Sequence, residues 1–183
     1  MAMTLIEKIR KTINPKLLTA FGIANVHALP RLEKVVINVG VRSDNKDPKT
    51  VEHCIEDLRI ITGQQPIKTR ARKSISSFNV REGQVVGLMV TLRGKRMYAF
   101  VDKLLNVALA RVRDFRGLDP KSLDGSGNFS IGFRDQIPFP EISADSIKYP
   151  FGLQVTLVVQ ANSRQLALEF LKQIGLPLKQ AIS

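Results

Sequence analysis

The sequence predicts an α+β fold: a two-layer sandwich in which a mixed, largely antiparallel sheet carries helices on one face. Three observations predict it. Several short segments alternate apolar and polar residues with a period of two, so each strand keeps one polar face, which suits an antiparallel sheet better than a parallel one buried on both sides. Helical stripes occur between them, but without the regular strand–helix alternation of a doubly wound fold. The 183 residues are 44% hydrophobic, enough for one sizeable core. There is no Trp and aromatics are 6%, so that core is mainly aliphatic. The whole chain, 1–183, reads as a single domain without repeats or low-complexity linkers.

Thr4 to Glu7 reads as a capping box that opens a short basic helix with Leu5, Ile6, Ile9 and Ile13 on its apolar side. Asn14-Pro15 is expected to interrupt it, with a further turn or two to Phe21-Gly22. Arg31–Gly40 alternates as a strand: Val35, Ile37 and Val39 on one face, Lys34, Val36 and Asn38 on the other. An Asn inside an otherwise apolar run marks that second face as functional. Asp47-Pro48 should open a helix through Thr62 as N-cap and N1, with Val51, Ile55, Leu58 and Ile61 or Thr62 as its stripe and Gly63 as its stop. Ile67–Thr69 is a short strand and Gln84–Arg93 a longer one, with Val86, Leu88, Val90 and Leu92 facing one way and Met89, Thr91 and Arg93 the other. Met97–Arg113 is the clearest helix, with Met97, Val101, Leu104 or Leu105, Ala108 and Val112 at helical spacing. Residues 114–136 are turn-rich around Asp124-Gly125-Ser126-Gly127, with a strand expected over Phe129–Phe133. Leu153–Gln160 is the last strand, and Ser163–Ile174 the last helix, stopped by Gly175 and Pro177.

Charge narrows the function. Lys and Arg number 28 against 16 Asp and Glu, a net +12, which predicts a polyanionic partner, nucleic acid before an anionic membrane. Residues 1–134 carry 24 basic and 12 acidic side chains, whereas 135–183 carry four of each, so the polyanion should meet the first three quarters of the chain. The densest basic element is Lys68-Thr69-Arg70-Ala71-Arg72-Lys73-Ser74, with no acid between Asp57 and Glu82. It reads as a mobile basic loop whose cations neutralise phosphates with little sequence preference. Arg93-Gly94-Lys95-Arg96 is a second cluster. Arg111, Arg113, Arg116 and Arg134 form a third, suited to bidentate phosphate contacts or stacking on bases.

Other classes find little support. Arg93-Gly94-Lys95-Arg96 fails the P-loop spacing, and Arg96 stands where Ser or Thr must bind magnesium. Gly125-Ser126-Gly127 lacks the rest of a dinucleotide fingerprint. His27 and His53 have no ligand-spaced partners, so neither a metal nor a cofactor is expected. The acids form no acid/base pair in sequence, which argues against an RNA-modifying enzyme. The single cysteine, Cys54, excludes an intramolecular disulfide and reads as a buried apolar thiol. No apolar stretch reaches the ~20 residues of a membrane span, and Met1–Lys8 has no signal-peptide core. A membrane-surface module would need bulky aromatics on a basic amphipathic helix. A DNA-binding architectural protein is the remaining alternative. The chain reads as cytosolic, or as made inside an organelle.

At these basic and polar segments the chain resembles a known family. Leu58-Arg59-Ile60-Ile61-Thr62-Gly63-Gln64-Gln65-Pro66-Ile67-Lys68-Thr69-Arg70-Ala71-Arg72-Lys73-Ser74 is similar throughout to the signature of the large-subunit ribosomal protein family called L-five, of bacterial and organellar type. Val90-Thr91-Leu92-Arg93-Gly94, Arg111-Val112-Arg113-Asp114-Phe115-Arg116-Gly117, Ser122–Phe129 and Gln136-Ile137-Pro138-Phe139-Pro140-Glu141-Ile142 match in order. The resemblance implies a structural, non-enzymatic protein of the central protuberance. It implies contacts with 5S rRNA and 23S-type rRNA, beside two other 5S-binding proteins. It also implies contacts with the P-site tRNA and, through small-subunit protein thirteen, with the small-subunit head. Asn38, Gln64 and Thr91 match family positions that contact 5S rRNA. Arg31 and Lys34 are expected phosphate contacts beside them, and Arg93 is a further expected rRNA contact. The loop from Thr69 to Arg81, with Thr69, Arg70, Ala71, Arg72, Lys73, Ser74 and Arg81, matches the family loop that reaches the tRNA. The small-subunit bridge is expected around Arg111–Arg134. The segment Arg42–Pro48 matches no family pattern, and the tail Lys172–Ser183 is assigned no role.

Overall fold

The structure is a computed structural model that describes residues 3–41, 48–143 and 147–179. It is an α+β fold built on one five-stranded antiparallel sheet. The strands are β1 (Arg31–Gly40), β2 (Ile67–Arg70), β3 (Val85–Leu92), β4 (Phe129–Phe133) and β5 (Leu153–Gln160), in the order β2-β3-β1-β5-β4. The expected alternation holds over most of each strand, but Val86, expected in the buried row of β3, is only half-buried, and the buried neighbour there is Gly87. Val35, Ile37 and Val39 of β1, Leu88, Val90 and Leu92 of β3, and Leu153, Val155, Leu157 and Val159 of β5 are all buried. Asn38 is exposed, and Lys34 and Val36 are half-buried. Each large apolar side chain so buried contributes roughly 1.5–3 kcal/mol.

The chain divides into two compact units. One holds Met1–Val35, Arg93–Ile131 and Thr156–Ser183; the other holds Val36–Leu92 and Gly132–Val155. In the first unit the chain enters through helix α1 (Leu5–Lys8). The Thr4 amide donates to Glu7 Oε2 at 3.1 Å and the Glu7 amide to Thr4 Oγ1 at 3.4 Å, the capping box the sequence predicts. The Thr4 backbone amide first, and a hydrogen bond from the Thr4 side chain second, hold the Glu7 carboxyl below its ordinary range. The expected break at Asn14-Pro15 does not occur. A π-helical turn, Ile9–Ile13, leads directly into α2 (Asn14–Phe21), with the Asn14 amide donating to the Ile9 carbonyl. Proline within a helix lacks an N–H and its ring crowds the preceding turn. The wider π turn relieves that crowding and Pro15 starts a new α-helical segment, so the helical run continues to Phe21. Leu5, Ile9, Ile13 and Leu17 form one buried stripe along the run.

The second helical run starts earlier than expected and stops sooner. Helix α4 (Gly94–Lys103) passes into a π turn, Leu104–Ala108, and a 3₁₀ turn, Leu109–Arg111. Lys95 and Arg96 in its first turn are exposed, so apolar periodicity could not mark its start. Met97, Val101, Leu104 and Ala108 are buried as expected, with Phe100 and Leu109 beside them. α1 packs on α4, and the π turn at 9–13 on α5 (Arg164–Ile174). Ser163 caps α5 by accepting the Leu166 amide at 3.2 Å, and Gly175, at φ +113, ends it.

The tail has a structural role that the sequence did not reveal. The Leu118 amide donates to the Pro177 carbonyl at 2.8 Å, and the Lys179 amide to the Leu118 carbonyl at 2.9 Å. Leu176 is buried. Residues 176–179 are thus pinned beside Gly117-Leu118; residues 180–183 lie outside the described residues, as do residues 42–47 and the expected Asp47 cap.

In the second unit α3 (Pro48–Thr62) packs on β3. It buries Val51, Cys54, Leu58 and Ile61. Cys54 is pushed up to about 11 by burial, with Asp57 adding to the shift, so it is the inert apolar thiol expected. β2 pairs antiparallel with β3, Thr69 opposite Gly87. A Cβ on Gly87 would lie 2.8 Å from both Thr69 Oγ1 and the Val39 carbonyl oxygen, so only glycine fits there. Gln136 is fully buried and fastens the segments around it. Its Nε2 donates to the Tyr149 carbonyl at 3.0 Å and to Asp57 Oδ2 at 3.3 Å, while its Oε1 accepts the Phe151 amide at 3.0 Å.

Candidate nucleic-acid interface

The polar residues singled out in the second unit lie on β1, on β3 and at the end of α3. Helix α3 stops where Gly63 turns to φ +66, and the next residue, Gln64, swings back toward the sheet. Its Nε2 donates to the Thr91 carbonyl at 3.2 Å. The buried Thr62 hydroxyl holds the turn: it donates to the Leu58 carbonyl at 2.6 Å and accepts the Gln64 amide at 3.3 Å. Gln64 and Thr91, 27 residues apart in sequence, are therefore joined. Both remain half-exposed, and Asn38 stands exposed on β1, the strand next to β3. With the other rows of β1 and β3 largely buried, the outer row carries Asn38 and Thr91 among the half-buried Val36 and Met89, and it can offer amide and hydroxyl groups to base or sugar edges.

The loop after β2 is built on its own hydrogen bonds. Thr69 and Arg70 belong to β2, with a register irregularity between them. Ala71 donates its amide to the Gln84 carbonyl at 2.8 Å, and Gly83 returns one to Ala71 at 2.9 Å. Farther out, Ile75 and Val80 exchange two backbone bonds, of 2.9 and 3.2 Å. Ser74 Oγ accepts the Glu82 amide at 2.9 Å, and Arg70 donates to the Gly83 carbonyl at 3.2 Å. Arg72, Lys73, Ser74 and Arg81 are exposed along this scaffold, while Thr69 and Ala71 are half-buried. A feature missed in the sequence is its apolar tip: Phe78 is 68% exposed and Ile75 47%. Aromatic exposure of this size beside cations suits stacking on bases. The signal was present in Ser76-Ser77-Phe78, an aromatic among small polar residues.

In the first unit Arg31 is exposed and its Nε donates to Gln160 Oε1 at 2.9 Å, which fixes the plane of the guanidinium. Lys34 is half-buried. Arg93 pairs with Glu33 at 3.4 Å, both side chains about half exposed. Such a surface pair is worth ~0–1 kcal/mol, so a phosphate can replace Glu33 at small cost. Neither Gln160 nor Glu33 carries a sequence signal, because each acts through a partner far along the chain. Of the expected arginine group, Arg111, Arg113 and Arg116 belong to the first unit and Arg134 to the second. The turn at Asp124 is tightly closed. Burial opposes its carboxylate, but the side chain and amide of Asn128 and the amides of Ser126 and Gly127 outweigh that and hold it below its ordinary range.

Charge is uneven between the units. The first carries 17 basic and 7 acidic side chains, the second 11 and 9. Almost all of the net positive charge is therefore on the first unit, whereas the second concentrates its cations in one loop. Among the described residues no group of three or more His, Cys, Asp or Glu could hold a metal, and no helix is long and apolar enough to cross a membrane.

Comparisons with known proteins agree with this picture. A family described as "Ribosomal protein L5" matches residues 25–81, and one described as "ribosomal L5P family C-terminus" matches residues 85–178. The large ribosomal subunit protein uL5 of Halothermothrix orenii is 48% identical over 96% of this chain and 98% of its own length. That of Clostridium kluyveri is 47% identical over 98% and 99%, and that of Synechocystis 46% identical over 93% and 94%. These relatives are named as ribosomal proteins and not as enzymes. With near-complete coverage of both chains at this identity, the chain belongs to the uL5 family of large ribosomal subunit proteins, structural constituents of the ribosome.

Proposed function

We propose that this protein binds 5S rRNA in the central protuberance of the large subunit, beside the two other 5S-binding proteins and 23S-type rRNA. The observation that carries the reading is the Gln64–Thr91 hydrogen bond. It joins two of the three positions that resemble the family's 5S contacts, on the same exposed side as Asn38. Asn38, Gln64 and Thr91 make the base and sugar contacts. Arg31, Lys34 and Arg93 supply phosphate contacts, with Arg93 leaving Glu33 to do so. The loop Thr69–Arg81 reaches the P-site tRNA through Thr69, Arg70, Ala71, Arg72, Lys73, Ser74 and Arg81. Small residues between its cations suit a contact that must accept every tRNA. The turn-rich stretch Arg111–Arg134 meets protein thirteen of the small-subunit head.

Replacing Asn38 or Gln64 by Ala tests the assignment. Each change is expected to weaken 5S rRNA binding by about 1–3 kcal/mol, the size of a lost polar base contact. Filter binding with the purified variants measures it, and unchanged affinity in both would remove these residues from the interface.

A further inference from the structure

Arg31 is held differently from Arg93. It opens β1, and Gln160 closes β5, the neighbouring strand of the antiparallel sheet. The first residue of one strand therefore lies at the same end of the sheet as the last residue of the other. Both belong to the first unit, and both are exposed. Gln160 continues the outer row of β5, after Gln154, Thr156 and Val158, opposite the buried Leu153, Val155, Leu157 and Val159. Its Oε1 accepts Arg31 Nε at 2.9 Å. That acceptor is neutral, and among the described residues Arg31 makes no ion pair. Arg93 is instead paired with the Glu33 carboxylate. Arg31 is thus oriented without being neutralised.

We propose that Gln160 is a positioning residue of the RNA interface, which presents Arg31 end-on to a single phosphate. With Nε taken by Gln160, the edge formed by Nε and one Nη is closed to an incoming anion. The edge that remains, Nη1 with Nη2, carries parallel N–H groups that match two oxygens of one phosphate. A long, rotamer-rich side chain loses freedom when it binds, and an arginine ordered beforehand loses less. Gln160 acts through Arg31, so its effect exists only while Arg31 is present. Nothing in the composition pointed to it, because it lies in the quarter of the chain without net charge. This inference rests on the 5S rRNA reading and on Arg31 as one of its phosphate contacts.

Two measurements on the full chain test it together. Filter binding of 5S rRNA compares the unaltered chain, Gln160→Ala, Arg31→Ala and the double variant. NMR of the ¹⁵N-labelled free protein follows the mobility of the Arg31 Nε–H group, which a general effect on the fold would not single out. Gln160→Ala is expected to weaken binding roughly two- to tenfold, the scale of ordering one such side chain. The double variant is expected to bind as Arg31→Ala alone does. The Nε–H group should be ordered in the unaltered chain and mobile in Gln160→Ala. An equal loss from Gln160→Ala in both backgrounds would overturn the positioning role, since Gln160 would then act independently of Arg31. So would an Nε–H group already mobile in the unaltered chain. Tight 5S binding that Gln160→Ala leaves unchanged removes this role alone. Absence of 5S binding by the unaltered chain would overturn the function proposed above, and this role with it.

Discussion

Gln64 ties the end of α3 to β3 through a single side chain. A glycine ends α3 just before it, a buried threonine hydroxyl fixes its backbone, and its amide then reaches Thr91. The sequence alone exposed the strand position of Thr91 and the glycine stop, but not that the two would meet, because that contact depends on the docking of α3. Asp57 is a second instructive residue. Burial pushes its carboxyl up, and the hydrogen bond from Gln136 only partly offsets this. A raised folded-state value means that the ionised form is disfavoured in the fold. The cost is absent while folded and unfolded chains are both protonated, and it appears as pH rises through the ordinary 3.8. Asp57→Asn retains an oxygen to accept from Gln136 and removes the charge. It is expected to raise the melting temperature at neutral pH, with the gain vanishing below the ordinary carboxylate value. A variant less stable at pH 7 would show that the charge serves a partner instead.

At the scale of elements, the strands were the most legible part of the sequence. β5 alternates along its whole length, whereas the buried row runs only from Val35 to Val39 in β1 and from Leu88 to Leu92 in β3. Helix ends were less legible. Pro15 marked a break that the π turn absorbs, and exposed Lys95 and Arg96 concealed the first turn of α4, since neither feature alters apolar periodicity. The loop between β2 and β3 was recognisable by charge, whereas its Ile75–Val80 pairing and apolar tip were not, because backbone bonds leave no mark on composition. Among the described residues the side chains of Arg72 and Lys73 make no bond in this scaffold, and that of Arg70 makes one. Replacing Arg70, Arg72 and Lys73 by Gln should therefore leave the fold and 5S binding intact. It should weaken P-site tRNA retention on assembled ribosomes, as measured by tRNA dissociation kinetics. A strong loss of 5S affinity in that variant would assign the loop to the rRNA.

At the scale of the molecule, the sequence predicts a single domain, and the structure divides into two compact units. β1, β4 and β5 each contribute residues to both units, so neither unit has a complete set of strands of its own. We propose that the chain behaves as one folding domain, and calorimetry is expected to give a single transition with equal calorimetric and van't Hoff enthalpies. Two separated transitions would make the units independent domains. The net charge of +12 was legible at once, but not that the first unit holds most of it. That excess ensures affinity for any polyanion, so it cannot by itself establish specific recognition. The most direct measurement is a titration of the purified protein against labelled 5S rRNA at rising salt, with excess tRNA as competitor. Tight binding that resists tRNA and falls only moderately with salt is expected, because polar contacts through Asn38 and Gln64 persist when phosphate attraction is screened. Binding that tRNA erases, with a steep salt dependence, would contradict it and reduce the interface to a nonspecific basic surface.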